Sequence, residues 1–261
     1  MTETKPKNDY ISSIDLHNTD TIQLRQDIKN YFLTTWELDE ALFELLSDPM
    51  AMYEQPNPLR HPLIFYYGHT ATFFMNKFTY AKITKERVDE RLENMFAIGV
   101  DEMAWDDMNE NHYTWPKVQE VQEYRNKVKQ IVLDAIENTE IQMPIHDKSD
   151  MWVILMGIEH EKIHLETSSV LIRELDLKYV KNHKRFDASV LLSEEYPSNE
   201  LVQVEGGTVS LGKTLAAPKH YGWDNEYGVQ ENSLASFEAS KYLVSNGEFL
   251  QFMKDDGYEN N

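Results

Sequence analysis

The segment MGIEHEKIHLETSSV contains the residues best suited to chemistry. His160 and His164 are four residues apart, so on a helix they lie about 40° apart on one face and could bind one metal ion. That helix face also carries mostly apolar residues, which places the pair toward a core: Val153, Met156, Thr167 and Leu171. The chain has no cysteine, so any metal site must be built from His, Asp and Glu.

A third candidate ligand, His69, lies in the segment GHTATFF. Phe65 and Phe73 stand one helical turn to either side, which predicts that His69 also faces inward. Three neutral imidazoles from two helices suit zinc, iron, copper or nickel, and the residues alone do not choose among these metals. Such a site leaves coordination positions open for substrates.

Other interpretations of the same residues stay open. The string H-E-x-x-H also matches zinc metalloproteases, with Glu161 as general base, although no third ligand follows in a recognisable protease context. A buried histidine can also be an ordinary hydrogen-bonded core residue. Glu159 and Glu161 could each accept a hydrogen bond from the free ring nitrogen of a ligand, or lie on a solvated helix face.

An acidic stretch precedes the third predicted helix, in GVDEMAWDDMNENHYTWP. It is either a plain acidic loop or a lip over the metal pocket that positions a cationic amino-acid group. Its acidic residues surround Trp105: Asp101, Glu102, Asp106 and Asp107.

Length and charge exclude several classes of protein. With 261 residues the chain holds one or two domains. Its 25 basic against 45 acidic residues give a net charge of -20, which disfavours nucleic-acid and membrane-surface partners. The polar N-terminus lacks a signal-peptide core and the longest apolar stretch, 63–78, is interrupted by polar residues. We therefore expect a cytoplasmic protein.

Helical periodicity recurs in four segments, which predicts a mainly α fold with a four-helix bundle and a long crossover between its second and third helices. Asp20 and Gln23 suggest a capping box at the start of the first helix. The chain shows no repeat at a fixed period, which argues against a helical solenoid. The predicted helices are 20–46, 61–80, 116–138 and 149–175.

The composition changes near residue 200, because seven of the ten glycines lie in the last 62 residues. We expect a tail at 1–19, the bundle at 20–180, a linker at 181–199 and a second domain at 200–261. LVQVEGGTVSLGK predicts a strand, a Gly-Gly turn and a strand, with Leu201, Val209 and Leu211 facing inward. Ser245 and Glu248 predict a capping box for a short helix at 245–255. Some sixty residues are too few for a separate core, so 200–261 is expected to be the truncated beginning of a larger domain.

Four long motifs in order give the chain a family resemblance over about residues 55–261. It resembles the 5-histidylcysteine sulfoxide synthases of ovothiol biosynthesis more than the related ergothioneine sulfoxide synthases. The motifs are HPLIFYYGHTATFF, GVDEMAWDDMNENHYTWPKVQEVQEYR, MGIEHEKIHLETSSVLIREL, and GGTVSLGK with YGWDNEYG and FEASKYLVSNGEFLQFMKDDGY.

The resemblance implies a DinB-like four-helix domain followed by the beginning of an α+β, C-type-lectin-like domain similar to formylglycine-generating enzyme. It implies a non-haem Fe(II) centre on His69, His160 and His164. The implied reaction joins the sulfur of L-cysteine to the imidazole ring of L-histidine and consumes O2 to leave a sulfoxide. The family's active-site tyrosine belongs to a part of the second domain beyond Asn261, so no catalytic residue is assigned. The second domain's own tyrosines lie too early in it to match: Tyr221, Tyr227, Tyr242 and Tyr258.

Two alternatives to the synthase remain. A DinB-like bundle with three histidines could be a metal-dependent thiol transferase using zinc or nickel. The chain could also be a non-catalytic remnant whose unfinished second domain pairs with another chain. The sequence leaves substrate-binding residues and oligomeric state open.

Overall fold

The computed structural model describes residues 13–97, 113–186, 196–216 and 218–259. These fall into two compact units. The first contains the described residues up to 186 together with 216 and 218–221, and the second contains 196–215 and 222–259. None of the helices within these ranges is both long enough and apolar enough to cross a membrane.

Within the described residues, five α-helices build the first unit and a sixth lies in the second. The four predicted long helices are present, so the mainly α fold is confirmed, but α3 was not predicted. The helices are α1 (Thr21–Phe43), α2 (Leu63–Tyr80), α3 (Glu90–Phe96), α4 (Val118–Asn138), α5 (Asp150–Glu174) and α6 (Asn246–Lys254). Short 3-10 helices lie at Pro49–Tyr53, Leu177–Tyr179 and Asp224–Glu226.

Side-chain caps fix several helix starts. Asp20 accepts hydrogen bonds from the backbone N–H groups of Ile22 and Gln23, which confirms it as the N-cap of α1. The predicted capping box there is wrong, because the Gln23 amide donates instead to Asp27, one turn further along. Asp89 caps α3 by accepting from the N–H of Leu92, and the Glu93 carboxylate accepts in return from the N–H groups of Val88 and Asp89.

Helix α2 forms the centre of the first unit, with 14 of its 18 residues buried. It packs against α3, α4 and α5, and two glycines allow the closest approaches. A Cβ on Gly68 would lie 2.3 Å from the Phe96 ring of α3, and one on Gly157 of α5 would lie 2.1 Å from the Phe74 ring of α2. The sequence therefore brings α3 and α5 onto α2 at the level of His69 and His160.

The described part of the second unit contains four strands, β1 (Leu201–Val204), β2 (Gly207–Leu211), β3 (Gln230–Leu234) and β4 (Phe237–Ser240). The predicted hairpin between the first two strands is wrong: β1 pairs with β4 and β2 pairs with β3, both antiparallel. One register runs through both ladders, so they form a two-stranded ribbon interrupted at Glu205–Gly206. Gly206 supports this interruption because a Cβ there would lie 2.7 Å from the backbone N of Ser236.

The apolar strand residues predicted to face inward are instead exposed. Leu201, Val209 and Leu211 are 63%, 39% and 55% exposed, because no second layer of described residues covers that face of the ribbon within the unit. The capping box of α6 is confirmed: the Ser245 hydroxyl accepts from the N–H of Glu248, whose carboxylate accepts from the N–H of Ser245. The predicted linker lies partly outside the described residues, and the domain boundaries remain predictions.

Candidate metal centre

The structure brings the three candidate ligands together inside the helical unit. His69 lies on α2, and His160 and His164 lie on successive turns of α5. One ring nitrogen from each residue falls within 4.8 Å of the other two. His69 and His160 are 5% and 8% exposed, and His164 is partly buried, so the cluster faces the core.

The spacing of the two imidazole nitrogens on α5 fits two ligands of one metal ion. The Nε2 atoms of His160 and His164 are 3.2 Å apart. Metal–nitrogen bonds of about 2.0–2.1 Å place two ligands of one ion roughly 3–3.5 Å apart, so this pair fits. The Nδ1 atoms of both rings are buried and have no hydrogen-bond partner among the described residues. The two rings therefore lack the hydrogen bonds of ordinary core histidines, and they also lack the outer acceptor that usually orients a metal-bound imidazole.

His69 is fixed by a backbone carbonyl at the end of α3. Its Nδ1 lies 2.7 Å from the carbonyl oxygen of Phe96. A carbonyl can only accept, so Nδ1 carries the proton and Nε2 keeps the lone pair needed to bind a metal. The short helix α3 therefore has a direct role in setting the tautomer of a candidate ligand.

Aromatic rings hold two of the imidazoles in orientation. The Phe73 ring stacks on His160 with centroids 3.6 Å apart and an interplanar angle of 6°. Phe65 stacks on His69 at 5.1 Å and 23°. Both phenylalanines come from α2, so this helix supplies one ligand and orients a second.

Burial keeps the imidazoles neutral near pH 7. Burial is the main cause that lowers the pKa of His69, and it lowers that of His160 well below its ordinary value, with help from His164, His69 and Lys77. Burial, followed by the effect of His69, lowers the pKa of His164 to about 3. Metal ligands must be deprotonated, so the environment prepares all three rings to bind a cation.

The structure does not place the two glutamates beside a ligand nitrogen, and this corrects the expectation that either is a hydrogen-bond acceptor for the histidines. Glu159 accepts a short hydrogen bond from the hydroxyl of Tyr31, on α1. Glu161 is fully buried rather than solvated. It faces Arg125 and Asp39, because it lies about 100° around α5 from His160.

That second cluster is centred on Arg125, which sequence reasoning missed. Its guanidinium donates to the carbonyl of Tyr67 (2.6 Å), the hydroxyl of Thr70 (2.9 Å) and Asp39 (2.9 Å), and lies 3.9 Å from Glu161. Burial raises the pKa of Asp39 to about 6 and that of Glu161 well above its usual range. Arg125 continues the buried stripe of α4 formed by Val121, Val128 and Val132, and this position was the available signal.

Another residue that the sequence analysis did not single out is His61. It is only 5% exposed and packs against Phe65, with ring centroids 4.4 Å apart. His61 thereby supports the phenylalanine that stacks on His69. The proposed acidic lip at 101–107 lies outside the described residues.

Comparisons with known proteins agree with this architecture. Residues 31–168 match the model of the DinB superfamily, and residues 188–261 match the sulfatase-modifying factor enzyme 1-like domain. The predicted order of a DinB-like domain and a formylglycine-generating-enzyme-like domain is therefore confirmed.

Two curated fungal relatives are both named ergothioneine biosynthesis protein 1. The protein from Neurospora crassa is 28% identical over 85% of this chain and 27% of its own length. The one from Schizosaccharomyces pombe is 23% identical over 77% of this chain and 30% of its own length. The chain thus spans less than a third of the length of these relatives. The DinB superfamily model matches residues 31–168, which is more than half of the chain. The chain therefore belongs to the DinB superfamily.

Proposed function

We propose that this chain carries the metal-binding domain of a non-haem Fe(II)-dependent, O2-consuming sulfoxide synthase that couples L-cysteine to the imidazole ring of L-histidine. The observation that carries the proposal is the buried convergence of His69, His160 and His164, with ligand nitrogens within 4.8 Å of one another. The names of the fungal relatives support a role in small-molecule biosynthesis. The motif resemblance supports the sulfoxide synthase class and the choice of cysteine and histidine.

The proposed reaction balances without a further reductant. The thiol S–H and one imidazole C–H are lost, a C–S bond forms, and the sulfur is oxidised to a sulfoxide. One atom of O2 enters the sulfoxide and the other leaves as water with the two hydrogens. The substrates together supply the four electrons that reduce O2.

The protein side chains have defined parts in this scheme. The three histidines provide neutral nitrogen donors on one side of a common point, and Fe(II), when bound, supplies Lewis-acid and redox chemistry with O2. The Phe96 carbonyl holds the proton on Nδ1 of His69, and Phe73 keeps the ring plane of His160 fixed. Phe65 and Phe73 give the imidazoles of His69 and His160 apolar neighbours on the α2 side.

Anaerobic titration of the chain with Fe(II) tests the centre. We expect one ion per chain, and substitution His160→Ala or His69→Ala should weaken binding by at least about 100-fold, since loss of an outer partner alone costs about 10–100-fold. His146→Ala is the matched control, because His146 precedes α5 and its side chain is 44% exposed. Equal binding by all variants would discard the site.

A second measurement tests the reaction class. In protein loaded with Co(II), L-cysteine should produce a thiolate-to-metal absorption band that L-serine does not. The Fe(II) protein should consume oxygen only when both L-cysteine and L-histidine are present. Thiol transfer without oxygen consumption would replace this proposal with a thiol transferase, and a chain that binds neither metal nor thiol would support the non-catalytic alternative.

A further inference from the structure

A small cavity opens beside His69 between α2 and the end of α3. Its volume is about 120 Å³, several times the roughly 10–15 Å³ that one water requires, so it can hold a group of several heavy atoms. Phe73 and Phe96 line it as apolar walls, and His69 lies at one end. The cavity therefore adjoins the candidate metal centre and extends along α2 away from it.

Lys77 supplies a cation to this cavity. It lies two turns after His69 on α2, and its Nζ is 5.1 Å from the centre of the Phe73 ring. The Phe73 ring that Lys77 approaches also stacks on His160, so a single ring links the ammonium group to the histidines.

Lys77 also differs from the other half-buried lysines of the helical unit. Lys29, Lys129 and Lys162 each lie 3.5–3.8 Å from a carboxylate. Within the described part of the chain, Lys77 has no carboxylate within 4 Å and no hydrogen bond to another side chain. In a protein with 45 acidic and 25 basic residues, a half-buried cation that faces a cavity and has no acidic partner among the described residues is suited to an anion from outside.

Asn76 adds a neutral polar group to the same wall. It is half-buried, and no described group hydrogen-bonds to its amide. A third polar residue, Thr72, shares its hydroxyl with Tyr124 at 3.0 Å and is therefore already engaged. One ammonium group and one amide on an otherwise apolar surface match the two oxygens of a carboxylate.

We propose that this cavity is a carboxylate subsite, in which Lys77 and Asn76 bind the α-carboxylate of an amino-acid substrate whose side chain reaches the histidine triad. The proposal rests on the proposed function, because it assigns one end of a substrate of that same centre. Lys77 fixes which end of the amino acid points away from the metal, and so discriminates amino acids from their decarboxylated amines.

Paired ligands that differ only in the carboxylate test the subsite. Calorimetric titration of the metal-loaded chain, without oxygen, should compare L-histidine with histamine and L-cysteine with cysteamine. In the parent protein, at least one amino acid should bind about tenfold or more tightly than its amine. Lys77→Met should abolish that ratio by weakening the amino acid alone, and Lys77→Arg, which keeps the charge, should retain most of it.

The control variant is Lys127→Met, which removes an exposed lysine from α4 and should leave both ratios unchanged. Stoichiometric metal binding is measured first on each variant, so failure of the centre is distinguished from failure of the subsite. If metal binds but neither pair is discriminated, or if Lys77→Met weakens amino acid and amine equally, the carboxylate subsite is wrong. The same conclusion follows if Lys127→Met lowers the ratio as much as Lys77→Met.

Discussion

Two clusters of buried polar side chains occupy different faces of α2 and α5, and they differ in where their charge balance comes from. In the Arg125 cluster, the protein supplies its own cation to Asp39 and Glu161. In the histidine triad, three neutral donors converge with no protein cation among them. Adjacent residues of α5 separate the two, since His160 points to one cluster and Glu161 to the other.

The difference shows how a helical core can combine a structural cluster with a candidate metal site of neutral donors. A buried carboxylate is costly without a partner, so the Arg125 cluster has to be complete when the chain folds. A neutral imidazole costs less to bury, so the triad can fold without metal and remain available to bind it. The two clusters should therefore respond differently to mutation, metal and pH.

The largest expected effect comes from removing the internal cation. Arg125→Met leaves Asp39 and Glu161 buried without a charged partner and should destabilise the protein by about 3–5 kcal/mol. Urea unfolding of the metal-free protein measures this loss. Arg91→Met is the control, because Arg91 forms an exposed pair with Glu120 and should cost about 1 kcal/mol or less. Similar losses in both variants would remove the distinction between the clusters.

The second largest expected effect comes from adding a metal ion that binds the histidine triad. A metal ion at 100 times its Kd should stabilise the folded chain by about 2.7 kcal/mol, because it binds the folded state alone. Thermal unfolding with and without metal measures the gain. The gain should disappear in His164→Ala and persist in Thr70→Val, which alters only the Arg125 cluster. A metal-induced gain in His164→Ala would show that the ion binds elsewhere.

The two clusters should also have opposite pH dependence in the metal-free protein. The pKa of His164 falls to about 3 on folding, so the unfolded chain binds more protons below the ordinary value of 6.5. Acidification from pH 7 to 5 should then cost about 2 kcal/mol through this residue alone. The pKa of Asp39 rises to about 6, so its contribution is greatest below 3.8 and is lost as the pH rises through 6.

Variants separate these opposite slopes. With His164→Leu, the free energy of unfolding should fall less between pH 7 and pH 5. With Asp39→Asn it should fall more, because the gain in stability from protonating Asp39 is removed. Urea unfolding at intervals from pH 5 to 7, in the presence of a chelator, gives both slopes. If His164→Leu left the profile unchanged, the imidazole would not be held neutral by burial.

The smallest effect comes from trimming one hydrogen bond of the Arg125 cluster. Thr70→Val removes the hydroxyl that accepts from Arg125 while preserving side-chain volume, and should cost about 1.5 kcal/mol. The metal affinity measured by anaerobic titration should stay within about twofold of the parent value. Thr70 contacts the Arg125 cluster, whereas its neighbour His69 belongs to the histidine triad. A tenfold loss of affinity would mean that the two clusters are coupled through α2.

Local patterns in the sequence were sufficient to single out the three histidines that converge in the structure and to find the helices that carry them. The four-residue spacing of His160 and His164, and the aromatic residues around His69, are properties of one helix face and need no tertiary information. The Asp20 cap and the Ser245–Glu248 capping box are equally local and were predicted at the correct residues.

Local sequence patterns could not predict which distant segments contact each other. Glu161 looked solvated because nothing in its own helix shows that Arg125, 36 positions earlier on α4, lies beside it. The two glycines between β1 and β2 suggested a turn, whereas Gly206 instead lies against Ser236 and the strands pair with β4 and β3. Helix α3 is too short for periodicity to be informative, and it became recognisable only through its packing on Gly68.

The parallel stacking of Phe73 on His160 has a consequence for how rapidly the centre can assemble. An imidazole clamped at 3.6 Å by a core phenyl ring cannot turn over without disturbing the packing of α2. Its ring is thus oriented during folding, before any ion arrives. Uptake then requires little conformational search, and its rate should be set by dehydration of the ion and its passage to the buried nitrogens.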